Sequence, residues 1–92
     1  MSIKLPFTVE VTQEDINKGC PNFGHACPVA LALKRLFPTY QVIVNTNQVT
    51  LHDDREYKIA KLPPEVVRFV YDFDYTKTGQ PITFTITDWS FQ

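Results

Sequence analysis

The chain lacks three features that would each point to a broad class of protein. No apolar run approaches the roughly 20 residues that a membrane-spanning helix needs, so the sequence predicts no transmembrane segment. Nine basic and ten acidic residues give a formal net charge of −1, without the concentrated positive charge that non-specific nucleic-acid binding requires. The N-terminal segment alternates in polarity and contains a proline, unlike a signal peptide. We therefore expect a cytoplasmic protein with no membrane partner and no dedicated nucleic-acid partner.

Cysteine is also scarce, because the chain has only Cys20 and Cys27. In a cytoplasmic protein such a pair is more typical of reduced thiols or metal ligands than of a disulfide. The 92 residues contain no linker, repeat or low-complexity tract and fit a single domain, residues 1–92. An apolar content of 43% is normal for a folded protein and excludes disorder as the main state of the chain.

Alternation of apolar and polar residues predicts the β-strands. Pro6 interrupts the first strand, and because proline cannot donate to a ladder, part of this strand should lie at a sheet edge. A polar turn at residues 45–47 joins the second and third strands. The last strand carries Thr83, Thr85 and Thr87 on the face that we expect to meet solvent. The predicted strands are residues 3–11, 40–45, 48–53, 57–61 (the weakest of them) and 82–87.

Three helices are predicted between these strands. Thr12 and Asp15 form a capping-box pattern, with Asp in place of the usual Glu or Gln, at the start of a helix of at most two turns. Pro28 begins a second, mostly buried helix, which Pro38 ends. The Pro63-Pro64 pair begins a third. The buried stripe of this third helix has helical spacing and consists of Val66, Phe69, Val70 and Phe73.

The predicted element order is β-α-α-β-β-(β)-α-β, and the hairpins between successive strands favour antiparallel pairing. We predict an α+β fold, with a small, mostly antiparallel sheet of four to five strands and two to three helices packed on one face. A chain of this size buries only about 60–65% of its unfolded surface, so its core is modest.

Residues 19–37, GCPNFGHACPVALALKRLF, concentrate the side chains that bear chemistry. Cys20, His25 and Cys27 are all capable of binding a metal, but tetrahedral zinc usually takes four ligands in two close pairs, and no fourth is obvious here. A zinc-stabilised domain that uses these three residues is therefore an alternative. In the plainer interpretation, both thiols pack as small apolar groups and the histidine lies in a polar loop.

Cys27 is also a candidate nucleophile because it stands where a helix should begin. The helix dipole would stabilise its thiolate and so lower its pKa. His25 is close enough in sequence to act as a base, although the segment contains no acid to orient the imidazole. A cysteine-dependent enzyme is the third hypothesis, behind a binding protein and a zinc domain.

The same loop suits a small anionic, nucleotide-like ligand. The free N–H groups of Val29 and Ala30 at the helix start would face such a group, and the loop adds an aromatic ring and polar side chains. No catalytic residue and no resident cofactor is assigned. The predicted ligand-binding residues are Asn22, Phe23, His25, Cys27, Val29, Ala30 and Arg35.

Aromatic and acidic residues near the helix and chain ends raise the alternative of a protein partner. Residues 72–75, Asp-Phe-Asp-Tyr, place acids at a helix end, where they are mildly unfavourable; they either aid solubility or mark a contact surface. Trp89 and Phe91 either pack in the core or, if the last strand continues, lie on its threonine face as a partner surface. A protein partner and a homodimer are therefore both hypotheses at this point.

Residues 27–33 read Cys-Pro-Val-Ala-Leu-Ala-Leu and follow a strand and an Ile-Asn-Lys-Gly turn. Residues 62–66 begin a later helix, which ends with Asp-Phe-Asp at residues 72–74. In these features the chain resembles a group of small phage and bacterial proteins. Cys20 lies further from Cys27 than a tighter pair would, which weakens any transferred metal site. The resemblance implies a phage-type accessory protein, a context in which short non-enzymatic inhibitors and ligand-sequestering proteins are common.

The sequence as a whole favours a non-enzymatic binding protein. We expect it to inhibit a host factor or to sequester a small anionic ligand, with the zinc domain and the Cys27 enzyme as alternatives.

Overall fold

The computed structural model describes residues 3–45 and 47–90. Three helices and five strands follow one another in the predicted order, which confirms the α+β class. No helix within these residues is long and apolar enough to cross a membrane. The elements are β1 (Phe7–Val11), α1 (Gln13–Lys18), α2 (Pro28–Leu36), β2 (Gln41–Val44), β3 (Gln48–His52), β4 (Tyr57–Lys61), α3 (Pro64–Thr76) and β5 (Ile82–Ile86).

The five strands divide into two antiparallel sheets. β1 pairs with β5, so that Phe7 lies opposite Ile86 and Val11 opposite Ile82. β2, β3 and β4 form the second sheet in that order. The strands nearest the two chain ends thus pair with each other, while the three central strands follow one another as hairpins.

The two hairpins of the second sheet are closed by backbone hydrogen bonds. The N–H of Asn45 donates to the carbonyl of Gln48 at 2.8 Å, and that of Asp53 donates to the carbonyl of Glu56 at 3.0 Å. Thr46, in the predicted turn, lies outside the described residues. The strand with the weakest sequence pattern, residues 57–61, is present as β4 with the predicted bounds.

The capping box at the start of α1 is confirmed. The N–H of Asp15 donates to Thr12 Oγ1 at 3.2 Å, and the N–H of Thr12 donates to Asp15 Oδ2 at 2.9 Å. This reciprocal pair satisfies two donors that the first helical turn leaves without partners. It also holds the Asp15 carboxylate in a buried position beside α2.

A single core joins the two sheets through α2, which packs against β1 of one sheet and β2 of the other. Lys34 and Arg35 form the exposed edge of this helix, as predicted. α3 buries its predicted stripe, Val66, Phe69, Val70 and Phe73.

The chain beyond β5 crosses from the first sheet to the second. The N–H of Ser90 donates to the carbonyl of Ile59 in β4 at 2.7 Å. Trp89 is half-buried and packs near Phe7, with 5.9 Å between the ring centroids. Because the strand ends at Ile86, Trp89 belongs to the packed interior rather than to an extension of the threonine face.

The threonine face of β5 meets solvent as predicted, with Thr83, Thr85 and Thr87 all exposed. Thr85 also contacts Thr8 across the sheet, with 3.1 Å between their hydroxyl oxygens. Phe91, the other aromatic residue considered for this face, lies outside the described residues.

Candidate functional site

The loop between α1 and α2 is closed by its own backbone. The N–H of Cys20 donates to the carbonyl of Ala26 at 2.8 Å, and the N–H of Ala26 donates to that of Phe23 at 3.0 Å. Asn22 has a positive φ of 66°, a conformation that asparagine tolerates better than most residues. Its N–H donates to Asp74 Oδ1 of α3 at 2.9 Å, so the loop is tied to that helix.

Gly24 ties the same loop to β2. Its carbonyl accepts a hydrogen bond from the N–H of Val44 at 2.6 Å. A Cβ atom at this position would lie 2.7 Å from the carbonyl oxygen of Val44, closer than real Cβ contacts come. The close approach of the two backbones therefore depends on glycine.

A cavity of about 310 Å³ lies where the loop, the end of β2 and the end of α3 meet. Cys27 lines it with only 3% of its surface exposed, while His25 is exposed. The residues that line the cavity are Asn22, Phe23, Gly24, His25, Cys27, Ile43, Val44, Asn45, Val70 and Asp74.

Four of the seven predicted ligand-binding residues, Asn22, Phe23, His25 and Cys27, therefore line one cavity. The other three do not. Val29 and Ala30 are buried in the core, and neither is among the residues that line the cavity. Arg35 lies at the other end of α2, where it contacts Asp15 and Glu10.

Arg35 has a structural partner instead of a ligand. Its guanidinium donates from Nη1 to Asp15 Oδ1 at 2.7 Å and from Nη2 to Asp15 Oδ2 at 3.1 Å. Nη2 also donates to the backbone carbonyl of Glu10 at 2.9 Å. This bidentate arrangement joins β1, α1 and α2 and is the geometry in which Arg binds carboxylates most strongly.

The environment of Cys27 opposes its predicted activation. Burial raises the pKa of the thiol more than the backbone N–H groups of Ala30 and Val29 lower it, and the Asp74 carboxylate raises it further. The helix-dipole argument predicted a lowered pKa and was wrong, because it left out the loss of solvent at this buried position. A buried, protonated thiol is a poor nucleophile at neutral pH.

The predicted zinc ligands are not brought together as a metal centre. Among residues 3–45 and 47–90, no three His, Cys, Asp or Glu side chains form a group that could hold a metal ion. Cys20 is exposed on the loop, whereas Cys27 is buried at the start of α2. The zinc alternative therefore gains no support from this geometry.

Exposed apolar side chains lie in the cavity lining and on α3, the helix that forms part of it. Phe23 and Ile43 line it and are 58% and 40% exposed. Tyr71 and Tyr75 lie beside Val70 and Asp74 on α3, 56% and 77% exposed, with 5.4 Å between their ring centroids. We call these four side chains, Phe23, Ile43, Tyr71 and Tyr75, the aromatic surface.

The sequence pointed to only part of this surface. Phe23 is one of the predicted ligand-binding residues, and Tyr75 belongs to residues 72–75, for which a contact surface is one of two interpretations. Ile43 was missed, although it occupies an outward-facing position of a strand whose alternate residues, Val42 and Val44, are buried. An apolar residue in an outward position was the signal that could have identified it.

Charge in the cavity is sparse and negative. Asp74 supplies its carboxylate, and no lysine or arginine is among the described residues that line the cavity. The N–H groups of Val29 and Ala30, which were expected to face an anion, act on the thiol of Cys27. The cavity is therefore poorly suited to a phosphate-bearing ligand.

Comparison of the chain with protein-family models, curated protein sequences and solved structures gave no match.

Proposed function

We propose that this chain is a non-enzymatic binding protein that docks onto a partner protein through the aromatic surface. The observation that carries the proposal is the exposure of Phe23 and Ile43 in the lining of one cavity, with the exposed Tyr71 and Tyr75 on α3, the helix that contributes Val70 and Asp74 to that lining. Large aromatic side chains that remain exposed beside a depression are typical of the central anchors of protein interfaces. The other large exposed apolar side chains among the described residues are Leu36, which lines a different cavity, and Tyr57 on β4, a strand that contributes no residue to this lining.

The charges of the surface favour a partner segment with a basic side chain. Asp74 lies in the cavity wall, and Tyr71 and Tyr75 offer two ring faces next to it. A guanidinium or ammonium group can contact a carboxylate and an aromatic face together. The last turn of α3 contains no basic side chain that would compete for this position. In a phage-type accessory protein, such a partner would be a host factor whose own contacts the chain blocks.

Site-specific photo-crosslinking tests the proposal. A photoreactive phenylalanine analogue replaces Phe23 in one protein and Tyr57, an aromatic residue of similar exposure elsewhere, in a control protein. We expect a discrete covalent adduct with one protein of the source cells from position 23 and none from position 57. The partner is then purified, and its affinity for Tyr75→Ala and Tyr57→Ala is measured by calorimetry.

Loss of a buried interface tyrosine typically weakens binding by at least about tenfold. We therefore expect that weakening for Tyr75→Ala and an unchanged affinity for Tyr57→Ala. Equal adducts from both positions, or equal affinities of both variants, would contradict the proposed surface. Titration of the labelled protein with ATP tests the ligand-sequestering alternative, and selective NMR shifts of residues 20–26 would favour it.

A further inference from the structure

The outer edges of the two sheets differ in how they are closed. A free strand edge presents unpaired N–H and C=O groups to which another strand can add. The edge of β2 is occupied by Gly24, whose carbonyl accepts from Val44. The edge of β4 is occupied by Ser90, whose N–H and hydroxyl both donate to the carbonyl of Ile59.

The edge of β1 is also closed. The carbonyl of Glu10 accepts the hydrogen bond from Arg35 Nη2 at 2.9 Å. Pro6, which has no N–H to offer, immediately precedes the strand. Three of the four outer edges therefore carry a local feature that blocks strand addition.

The edge of β5 has no such feature. Because the carbonyl of Glu10 is directed to Arg35, Glu10 and its opposite residue Thr83 form a pair that is not hydrogen-bonded to each other. The backbone groups of Thr83 and Thr85 therefore point away from β1. Within residues 3–45 and 47–90, no hydrogen bond reaches these outward groups.

Open space adjoins this edge at both ends. A cavity of about 490 Å³ lies between α3 and the residues that lead into β5, and Ile82 lines it. A second cavity, of about 330 Å³, lies between the end of β4 and the residues after β5, and Thr85 and Ile86 line it.

The sequence of β5 is a palindrome, Ile82-Thr83-Phe84-Thr85-Ile86. If two copies pair antiparallel with Phe84 opposite Phe84, the outward groups of Thr83 face those of Thr85 in the other copy. Apolar residues then lie opposite apolar residues on the core face, and threonines lie opposite threonines on the solvent face. No charged side chain lies within the strand, so self-pairing brings no like charges together.

We propose that a second copy of this chain adds at the β5 edge. The resulting two-fold symmetric dimer has a continuous four-stranded sheet in the order β1-β5-β5-β1. A sheet of two strands is marginally stable alone, and the dimer gives each β5 strand a second neighbour. The palindromic strand makes the contact isologous, because both copies present the same groups in the same register. This surface is separate from the aromatic surface, and the dimer does not depend on the proposed function.

Sedimentation velocity of the full chain over a range of concentrations tests the dimer. Thr83→Pro removes an N–H that points away from β1, and the fixed φ of proline is tolerated on an edge strand, so circular dichroism should report an unchanged fold. Thr8→Pro is the matched control because Thr8 also lies in a non-hydrogen-bonded pair of the same sheet. We expect the wild type and Thr8→Pro to sediment as two chains. Thr83→Pro should raise the dimer dissociation constant by at least about 100-fold, since both copies lose a hydrogen bond.

A spin-label distance decides the matter without a disruptive substitution. Thr87→Cys is labelled in a Cys20→Ser background, which removes the other exposed thiol. Pairing centred on Phe84 places the two labelled backbones about 20 Å apart, from six residues at about 3.4 Å each. A wild type that stays monomeric at its highest soluble concentration would overturn the proposal. A dimer whose label distance disagrees, or that persists unchanged in folded Thr83→Pro, would also overturn it.

Discussion

The two ends of α2 use polar side chains in opposite ways. At the C-terminal end, Arg35 makes three hydrogen bonds that join α1 and β1. At the N-terminal end, Cys27 makes no side-chain capping bond, and the loop before it exposes Phe23 and His25 beside a cavity. One end is held by its charged groups, and the other presents two ring side chains to solvent.

This difference separates residues that hold the fold from residues that are available to a partner. Arg35 is chemically the best anion ligand near the loop in sequence, yet its guanidinium is already bound to Asp15. Phe23 and Tyr75 have ring neighbours but remain more than half exposed. Their exposure has no evident structural benefit, and that is why we assign binding to the aromatic surface and not to the charged residues.

The largest expected effect compares the two cysteines. Cys20 is exposed and Cys27 is buried with a raised pKa, so iodoacetamide should alkylate Cys20 at least about 100-fold faster near neutral pH. Such a ratio corresponds to a local opening of about 3 kcal/mol before the buried thiol reacts. Peptide mass spectrometry of timed aliquots measures both rates in one sample.

Unfolding in urea supplies the control, because both thiols should then react at similar rates. Faster labelling of Cys27 than of Cys20 in the native protein would revive the nucleophile hypothesis. It would also contradict the burial of the Cys27 thiol at this end of α2.

A second comparison concerns two carboxylates that lie near opposite ends of α2, those of Asp15 and Asp74. Asp15 is buried and bonds Arg35 and Thr12, so Asp15→Ala should lower the free energy of unfolding by about 2–3 kcal/mol through the loss of a cap and a charge-assisted pair. Asp74 accepts one exposed N–H from Asn22. Asp74→Ala should therefore cost less than about 1 kcal/mol.

Urea unfolding of both variants and the wild type measures these differences. Equal losses of stability would show that Asp74 holds the fold as much as Asp15 does. In that case Asp74 would no longer be a residue available to a partner.

Local sequence patterns were sufficient for most elements of the fold. The Thr12 and Asp15 box, the four-residue stripe of α3 and the bounds of β4 depend on residues close to one another in the chain, and the structure confirms each of them. The division of the strands into two sheets depends on which strands meet after the chain turns. No local pattern determines whether β1 pairs with β5 or joins the other three.

The candidate site shows the same limit. Residues adjacent in the loop, such as Asn22 and Phe23, were placed together correctly, but Ile43 and Asp74 reach the cavity from distant elements. Arg35 lies away from the cavity and bonds Asp15, a partner twenty residues earlier in the chain. The pKa of Cys27 was misjudged because burial, unlike helix position, is a tertiary property.

The smallest expected effect concerns the pH dependence of the Arg35 end of α2. Burial alone would raise the pKa of the Asp15 carboxyl, but the hydrogen bonds from Arg35 and Thr12 outweigh it and hold the pKa below the usual value of 3.8. A carboxyl with a lower pKa in the folded chain than in the unfolded chain stabilises the fold when ionised. That stabilisation is complete above the unfolded pKa and is lost as the pH falls towards the folded one.

Asp15→Asn keeps the size of the side chain and removes its charge, so this variant should be less stable than the wild type at neutral pH. The difference in the free energy of unfolding should shrink as the pH falls below the unfolded pKa. Its slope cannot exceed about 1.4 kcal/mol per pH unit, because one proton is exchanged. Urea unfolding at a series of pH values between about 6 and 3 measures this difference. A difference that stays constant or grows towards low pH would show that the charge on Asp15 does not stabilise the fold.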